Sequence, residues 1–271
     1  MDAVVDPPIV FLLPGAMGYG PSMADLANAI RTVAKVIPIK YPDLKGMLGG
    51  NDTVTSMADF AVQQIQRSQP TGEVRLLGHS LGGAVGYEVA VRLYEAGRVV
   101  SFLGILDTSI VNEPRDYRET FTRVVERIQT NRANVSRLAC RALAKVACKF
   151  GYEAGLTRII DYYSRRKFNA TCFRIKLELQ QVLRSRACAQ WKAIPRRAVP
   201  INATLFRCDR KGVPQSLGWE SCFASLDVIA VEGDHISLVV EPYLSKNRPL
   251  IEKSIRQTLE TYNVRQERIG T

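Results

Sequence analysis

The chain has 271 residues, 46% apolar, 23% charged and 8% aromatic, enough for a real core and unlike a disordered or collagen-like composition. No stretch approaches the roughly 20 uninterrupted apolar residues of a membrane-spanning helix, and the first apolar run, 9–13, follows acidic Asp2 and Asp6 rather than the basic flank of an export signal. The formal charge of +11 is concentrated, with 20 basic and 7 acidic side chains in residues 112–198 against 17 and 19 elsewhere.

In chain order, residues 9–13 read as a buried strand, 23–31 as a helix and 33–39 as a second strand. Residues 53–68 have helical spacing, with Met57, Phe60, Ala61 and Ile65 on one face and Thr53 or Thr55 able to cap it. A short strand at 74–77 leads into a helix over 82–96, stopped by Gly97 in the left-handed position. Another strand follows at 99–106. Strands that alternate with helices, and are apolar almost throughout, predict a mostly parallel sheet covered by helices on both faces. Between 112 and 195 the strand pattern stops, and 121–128, 138–150 and 173–183 repeat at helical spacing. The alternation returns at 201–206 and 226–231 and ends in a helix near 249–262. The expectation is a single α/β domain over 1–271, with residues 112–198 inserted as a helical lid over the carboxyl ends of the strands, where open α/β sheets bind ligands.

Six cysteines show no paired CxxC spacing, and two histidines are too few for a Cys/His zinc site. Free thiols in a cytoplasmic protein are the expectation.

The sharpest chemical signal is Gly78, His79, Ser80, Leu81 and Gly82, a GxSxG match between a strand and a helix. That context fits a nucleophile elbow, which lifts a serine hydroxyl above the sheet. The Leu81 amide, at the start of the helix, can then donate to a developing oxyanion. A serine needs a base. His79 should point away from Ser80 across the turn, as a packed histidine. His235, just after the last strand, is the candidate base. Two carboxylates could orient it: Asp107, which ends a nearly all-apolar strand, and Asp209, whose neighbours Arg207, Arg210 and Lys211 suggest a surface ion-pair cluster. The residues favour Asp107 and leave Asp209 open. The glycine-rich loop at 14–20 can bring a second amide, that of Ala16, toward the oxyanion. It lacks the spacing of a phosphate-binding loop.

Taken together, residues 14–20, Gly78 to Gly83, Leu106 and Asp107 before the insert, Gly218 and Trp219, and Gly233 to His235 resemble the thioesterase domains that terminate nonribosomal peptide and polyketide synthetases, which have the α/β-hydrolase fold. The resemblance runs from about 9 to 245 and weakens across 112–198. It implies a catalytic triad of Ser80, Asp107 and His235, since the family's acid follows the strand before the lid, and an oxyanion hole from the Ala16 and Leu81 amides. It also implies an acyl or peptidyl chain delivered on the 4′-phosphopantetheine arm of a carrier protein, an acyl-serine intermediate, and release by water or by an internal nucleophile. No metal or bound cofactor is needed. No carrier precedes Met1, so the expectation is either a free-standing enzyme or an excised terminal domain.

Two rival readings stay open. An esterase or lipase acting on oxyesters would use the same triad. A nucleic-acid or anionic-membrane binder would use Arg165, Arg166, Lys167, Arg184 and Arg186, with Tyr162 and Tyr163 for stacking, although no known base-reading pattern is present. The basic insert itself suits either electrostatic steering of an acidic carrier or an ordinary solvated face.

Overall fold

A computed structural model describes residues 7–111, 132–164 and 169–269. The predicted helical run at 121–128, and Arg165, Arg166 and Lys167, lie outside the described residues.

Six parallel strands form one sheet in the order β2-β1-β3-β4-β5-β6. They are β1 (Ile9–Leu13), β2 (Lys35–Pro38), β3 (Val74–His79), β4 (Val100–Leu106), β5 (Val199–Arg207) and β6 (Phe223–Ala230). Side chains alternate across each strand. Phe11 and Leu13 of β1 face one core cluster with Leu76, Leu103 and Ile105, whereas Val10 and Leu12 face a second with Leu77, Phe102 and Leu106. Two buried faces explain why these strands read as apolar runs rather than as alternating patterns.

On the first face lie α2 (Leu44–Leu48), α3 (Val54–Ser68) and α4 (Leu81–Glu95), and on the second α1 (Pro21–Ala29) and α8 (Tyr243–Ile269). Thr53 caps α3 through a reciprocal capping box with Ser56, which settles the choice between the two threonines. Gly97 has φ 71° just past α4, as its position predicts.

Among the described residues, three helices lie between β4 and β5: α5 (Arg132–Phe150), α6 (Glu153–Ser164) and α7 (Ala170–Lys192). On α7, Cys172, Leu179, Leu183, Ala187 and Trp191 are buried at spacings of seven and four, a single apolar stripe. It packs against α2, α3 and α4, so the insert rests directly on the core. Trp191 Nε1 donates to Glu88 on α4 at 2.8 Å, and its ring joins Tyr87, Trp219 and Phe223 in an aromatic cluster.

Candidate active site

The turn between β3 and α4 leaves no room for side chains two positions either side of the serine. A Cβ on Gly78 would lie 2.2 Å from the Gly82 carbonyl oxygen, and one on Gly82 would lie 2.0 Å from that of Leu13. Ser80 itself holds φ 57°, ψ −119°, a conformation that costs a non-glycine residue about 1–3 kcal/mol. Neighbouring strands hold it there. The Ser80 amide donates to Leu106 O at 3.1 Å, and Thr108 Oγ1 donates to Ser80 O at 2.6 Å.

Ser80 Oγ stands 2.8 Å from His235 Nε2, and His235 Nδ1 stands 3.0 Å from Asp107 Oδ2. With the proton on Nδ1 donated to Asp107, Nε2 is left to accept from the serine, the orientation a general base requires. Asp107 is fully buried at the end of β4, with φ 51°. Its Oδ1 accepts the Cys208 amide at 3.0 Å. Trp219 Nε1 donates to Thr108 O at 2.6 Å and the Ile110 amide to Leu217 O at 2.9 Å, which pins the chain leaving Asp107.

Two further groups touch this relay. Arg210 donates to Asp107 Oδ2 from Nε at 3.0 Å and from Nη2, and its Nη2 lies 2.8 Å from His235 Nδ1, so the guanidinium and the imidazole share one carboxylate oxygen. Burial by itself would raise the Asp107 carboxyl. The bonds from His235, Arg210 and the Cys208 amide outweigh it and hold the group below its usual range. The second is His79, whose ring lies beside His235 with centroids 5.3 Å apart and whose Nε2 donates to the His235 carbonyl at 2.9 Å.

A family model for the thioesterase domain matches residues 8–241. The chain belongs to the thioesterase family. Among curated relatives, this thioesterase is 29% identical over 101 residues to vanchrobactin synthetase VabF of Vibrio anguillarum, covering 37% of this chain and 4% of that protein. It is 30% identical over 101 residues to enterobactin synthase component F of Escherichia coli O157:H7, covering 37% and 8%. The chain thus matches less than a tenth of the length of these relatives. Among solved structures, it superposes on the NocB thioesterase domain of the nocardicin cluster in complex with a fluorophosphonate nocardicin G analogue, with a TM-score of 0.61 at 19% identity over 94% of this chain and 95% of that one. RedJ thioesterase from prodiginine biosynthesis in Streptomyces coelicolor gives 0.61 at 18% identity, over 93% and 88%. The fold is that of an α/β-hydrolase, and the thioesterase is a serine hydrolase by family.

Of the residues singled out from the sequence, Ser80, His235 and Asp107 come together. Asp209 does not. It is exposed, and Arg210, expected to belong to a surface cluster around it, turns inward to Asp107 instead. The glycine-rich loop lies against the elbow, since a Cβ on Gly15 would be 3.3 Å from Ser80 Cβ. Neither the Ala16 nor the Leu81 amide of the thioesterase donates to another described backbone group outside regular helices and strands.

Of the contacts read for a nucleic-acid binder, Arg184 is buried, while Tyr162 and Tyr163 are exposed and meet edge to face at 5.4 Å. Part of the insert's positive charge is paired with acids, with Arg137 on Glu178, Lys176 on Asp161, and Arg186 on Asp52 and Glu153. All six cysteines are free, and burial first, then Asp107, pushes the Cys208 thiol up to about 12. Among the described residues no cluster of three metal-ligating side chains occurs, and no helix is long and apolar enough to cross a membrane.

Proposed function

We propose that this thioesterase releases an acyl or peptidyl chain from the 4′-phosphopantetheine arm of a carrier protein, with Ser80, His235 and Asp107 as its catalytic triad. The observation that carries the reading is the unbroken series from Ser80 Oγ through both ring nitrogens of His235 to Asp107, at 2.8 and 3.0 Å.

In this scheme His235 Nε2 takes the Ser80 proton as Oγ attacks the thioester carbonyl. Asp107 stabilises the imidazolium and keeps its tautomer. The negative oxygen of the tetrahedral intermediate is received by the amides of Ala16 and Leu81, and each such donor contributes about 3–4 kcal/mol in comparable enzymes. Collapse breaks the C–S bond, and the imidazolium returns its proton to the departing thiolate. Water, or an amine or hydroxyl of the bound chain, then attacks the acyl-serine with His235 again as base. A lid formed by residues 112–198 over the strand ends would decide which nucleophile enters. The synthetase relatives support a carrier as the donor. Basic residues of the insert, beyond those paired internally, would draw in an acidic carrier.

The test is hydrolysis of a panel of acyl-pantetheine thioesters beside matched oxyesters, by wild type and Ser80→Ala. Thioester turnover abolished by the substitution supports the reading. Preference for oxyesters would move the enzyme to the esterases with the same triad. Turnover that survives Ser80→Ala would remove Ser80 as nucleophile.

A further inference from the structure

A charge on α7 is buried without a counter-charge. Arg184 is 5% exposed, and among the described residues it forms no ion pair with an acid. Its Nη1 donates to the Ala16 carbonyl and its Nη2 to the Pro42 carbonyl, each at 3.3 Å, while Nε has no partner among the described residues. The guanidinium lies over the Tyr41 ring at 5.6 Å from its centroid. Burial pulls the group below its ordinary value, against the opposing influence of Tyr41. Desolvating a cation against two carbonyls and a ring face, with no acid, is a poor way to stabilise a fold, so the arrangement needs another reason.

The reason lies in what is held. Arg184 joins the loop after β1 to the loop after β2. Tyr41 Oη grips the first of these at a second point, donating to Pro14 O at 2.8 Å. Inside the loop the Gly18 amide donates to Gly15 O at 2.9 Å, and Gly18 has φ 80°. A side chain there would begin 3.0 Å from Arg184 Nη1, so the guanidinium fits against bare backbone. In a trans peptide the carbonyl and the following N–H point opposite ways. Gly15 O, turned toward Gly18, sends the Ala16 N–H the other way. Ala16 O, turned toward Arg184, fixes the peptide plane on its other side.

We infer that Arg184 is a positioning residue for acyl transfer: from the inserted helix it holds the Ala16–Met17 peptide plane, and through it steadies the adjoining Gly15–Ala16 plane whose amide faces the oxyanion. This rests on the reading that Ala16 donates to that oxygen. Half of the oxyanion site is then set by the insert rather than by the core, and displacing α7 would loosen it.

The experiment compares wild type with Arg184→Met, which keeps the stem and removes the donors. It reads kcat and KM on an acyl-pantetheine thioester, the rate of Ser80 phosphonylation by a small fluorophosphonate, and the melting temperature. The expected result is a 10- to 100-fold fall in kcat with KM within about twofold, a parallel fall in phosphonylation, and melting within a few degrees of wild type. Phosphonylation at the wild-type rate overturns the inference, as does a loss confined to KM. Should Arg184→Met not fold, the same rates on Arg184→Gln, which keeps a neutral donor of shorter reach, decide in the same way. A wild type that is phosphonylated at Ser80 yet cleaves no thioester would sink the proposed substrate, while the phosphonylation ranking would still decide the role of Arg184.

Discussion

His79 and His235 are in contact through two independent interactions, their rings 27° from parallel and the Nε2–H of one bonded to the backbone carbonyl of the other. A carbonyl can only accept, so His79 carries a proton on Nε2. Burial first, and then the neighbouring His235, lower its pKa to about 4. Because the folded value lies below the ordinary 6.5, the unfolded chain binds the extra proton first as pH falls. The stability tied to a neutral His79 is fully present above pH 6.5 and is lost between 6.5 and about 4, amounting to roughly 1–3 kcal/mol. In urea titrations His79→Phe should lack this part of the acid slope. Its kcat should fall about tenfold as the His235 backbone loosens. A slope identical to wild type would assign it to other groups.

The choice of acid is open to a direct comparison. Asp107→Asn should lower kcat by about 10³- to 10⁴-fold by reversing the imidazole tautomer, whereas Asp209→Asn, at an exposed position, should stay within twofold. The reverse order in a steady-state assay would overturn the triad assigned here.

Asp107 also has a pH signature distinct from that of His79. Its carboxyl is held below the ordinary 3.8, so the stability it contributes is present above that value and is lost as pH drops through the folded one. Arg210→Gln removes the guanidinium whose two bonds and charge help to hold it down. Acid unfolding of that variant should therefore begin at higher pH than in wild type, as read by circular dichroism.

Two glycines offer a test of packing at the elbow. A Cβ on Gly83 would lie 2.1 Å from Thr108 Oγ1, the hydroxyl that binds the Ser80 carbonyl. Gly83→Ala should cost at least about 3 kcal/mol and most of the activity. Gly20, before α1, has nothing within 4 Å of its added Cβ, so Gly20→Ala should melt within a few degrees of wild type.

The basic insert makes a prediction about encounter. For a carrier-linked thioester, kcat/KM should fall several-fold between low and moderate ionic strength, while the free pantetheine thioester should show little change. Equal salt dependence for both would assign the positive charge to a solvated face.

Much of this architecture was legible because its signals are local. The apolar strand runs, the Thr53 cap and the Gly97 stop need only a few neighbouring residues. So does the elbow, whose glycines sit within two or three positions of the serine. Arg184 and Arg210 were not legible, because the partners that define them are distant in the chain: Ala16 stands 168 positions from Arg184, and Asp107 stands 103 from Arg210. Nothing near Arg210 in the sequence distinguishes it from Arg207 or Lys211. The five-residue α2 is too short for a period to show and depends on the Asp43 cap. The last helix, expected near 249–262, begins earlier: α8 starts at Tyr243 with Pro249 inside it, and the buried Asn247 bonds to Glu232 and Leu238 and anchors the opening turns.

The order of the strands has a consequence for how activity arises. Ser80 and His235 are 155 positions apart, and the loop that carries His235 follows β6, the strand at the sheet's edge. Contacts of such long range form late, because closing the chain between them is costly until the intervening elements are in place. Esterolytic competence should therefore be the last signal to recover when the unfolded protein is diluted from denaturant, trailing the return of helical ellipticity. A serine-directed probe would then count finished molecules rather than collapsed ones.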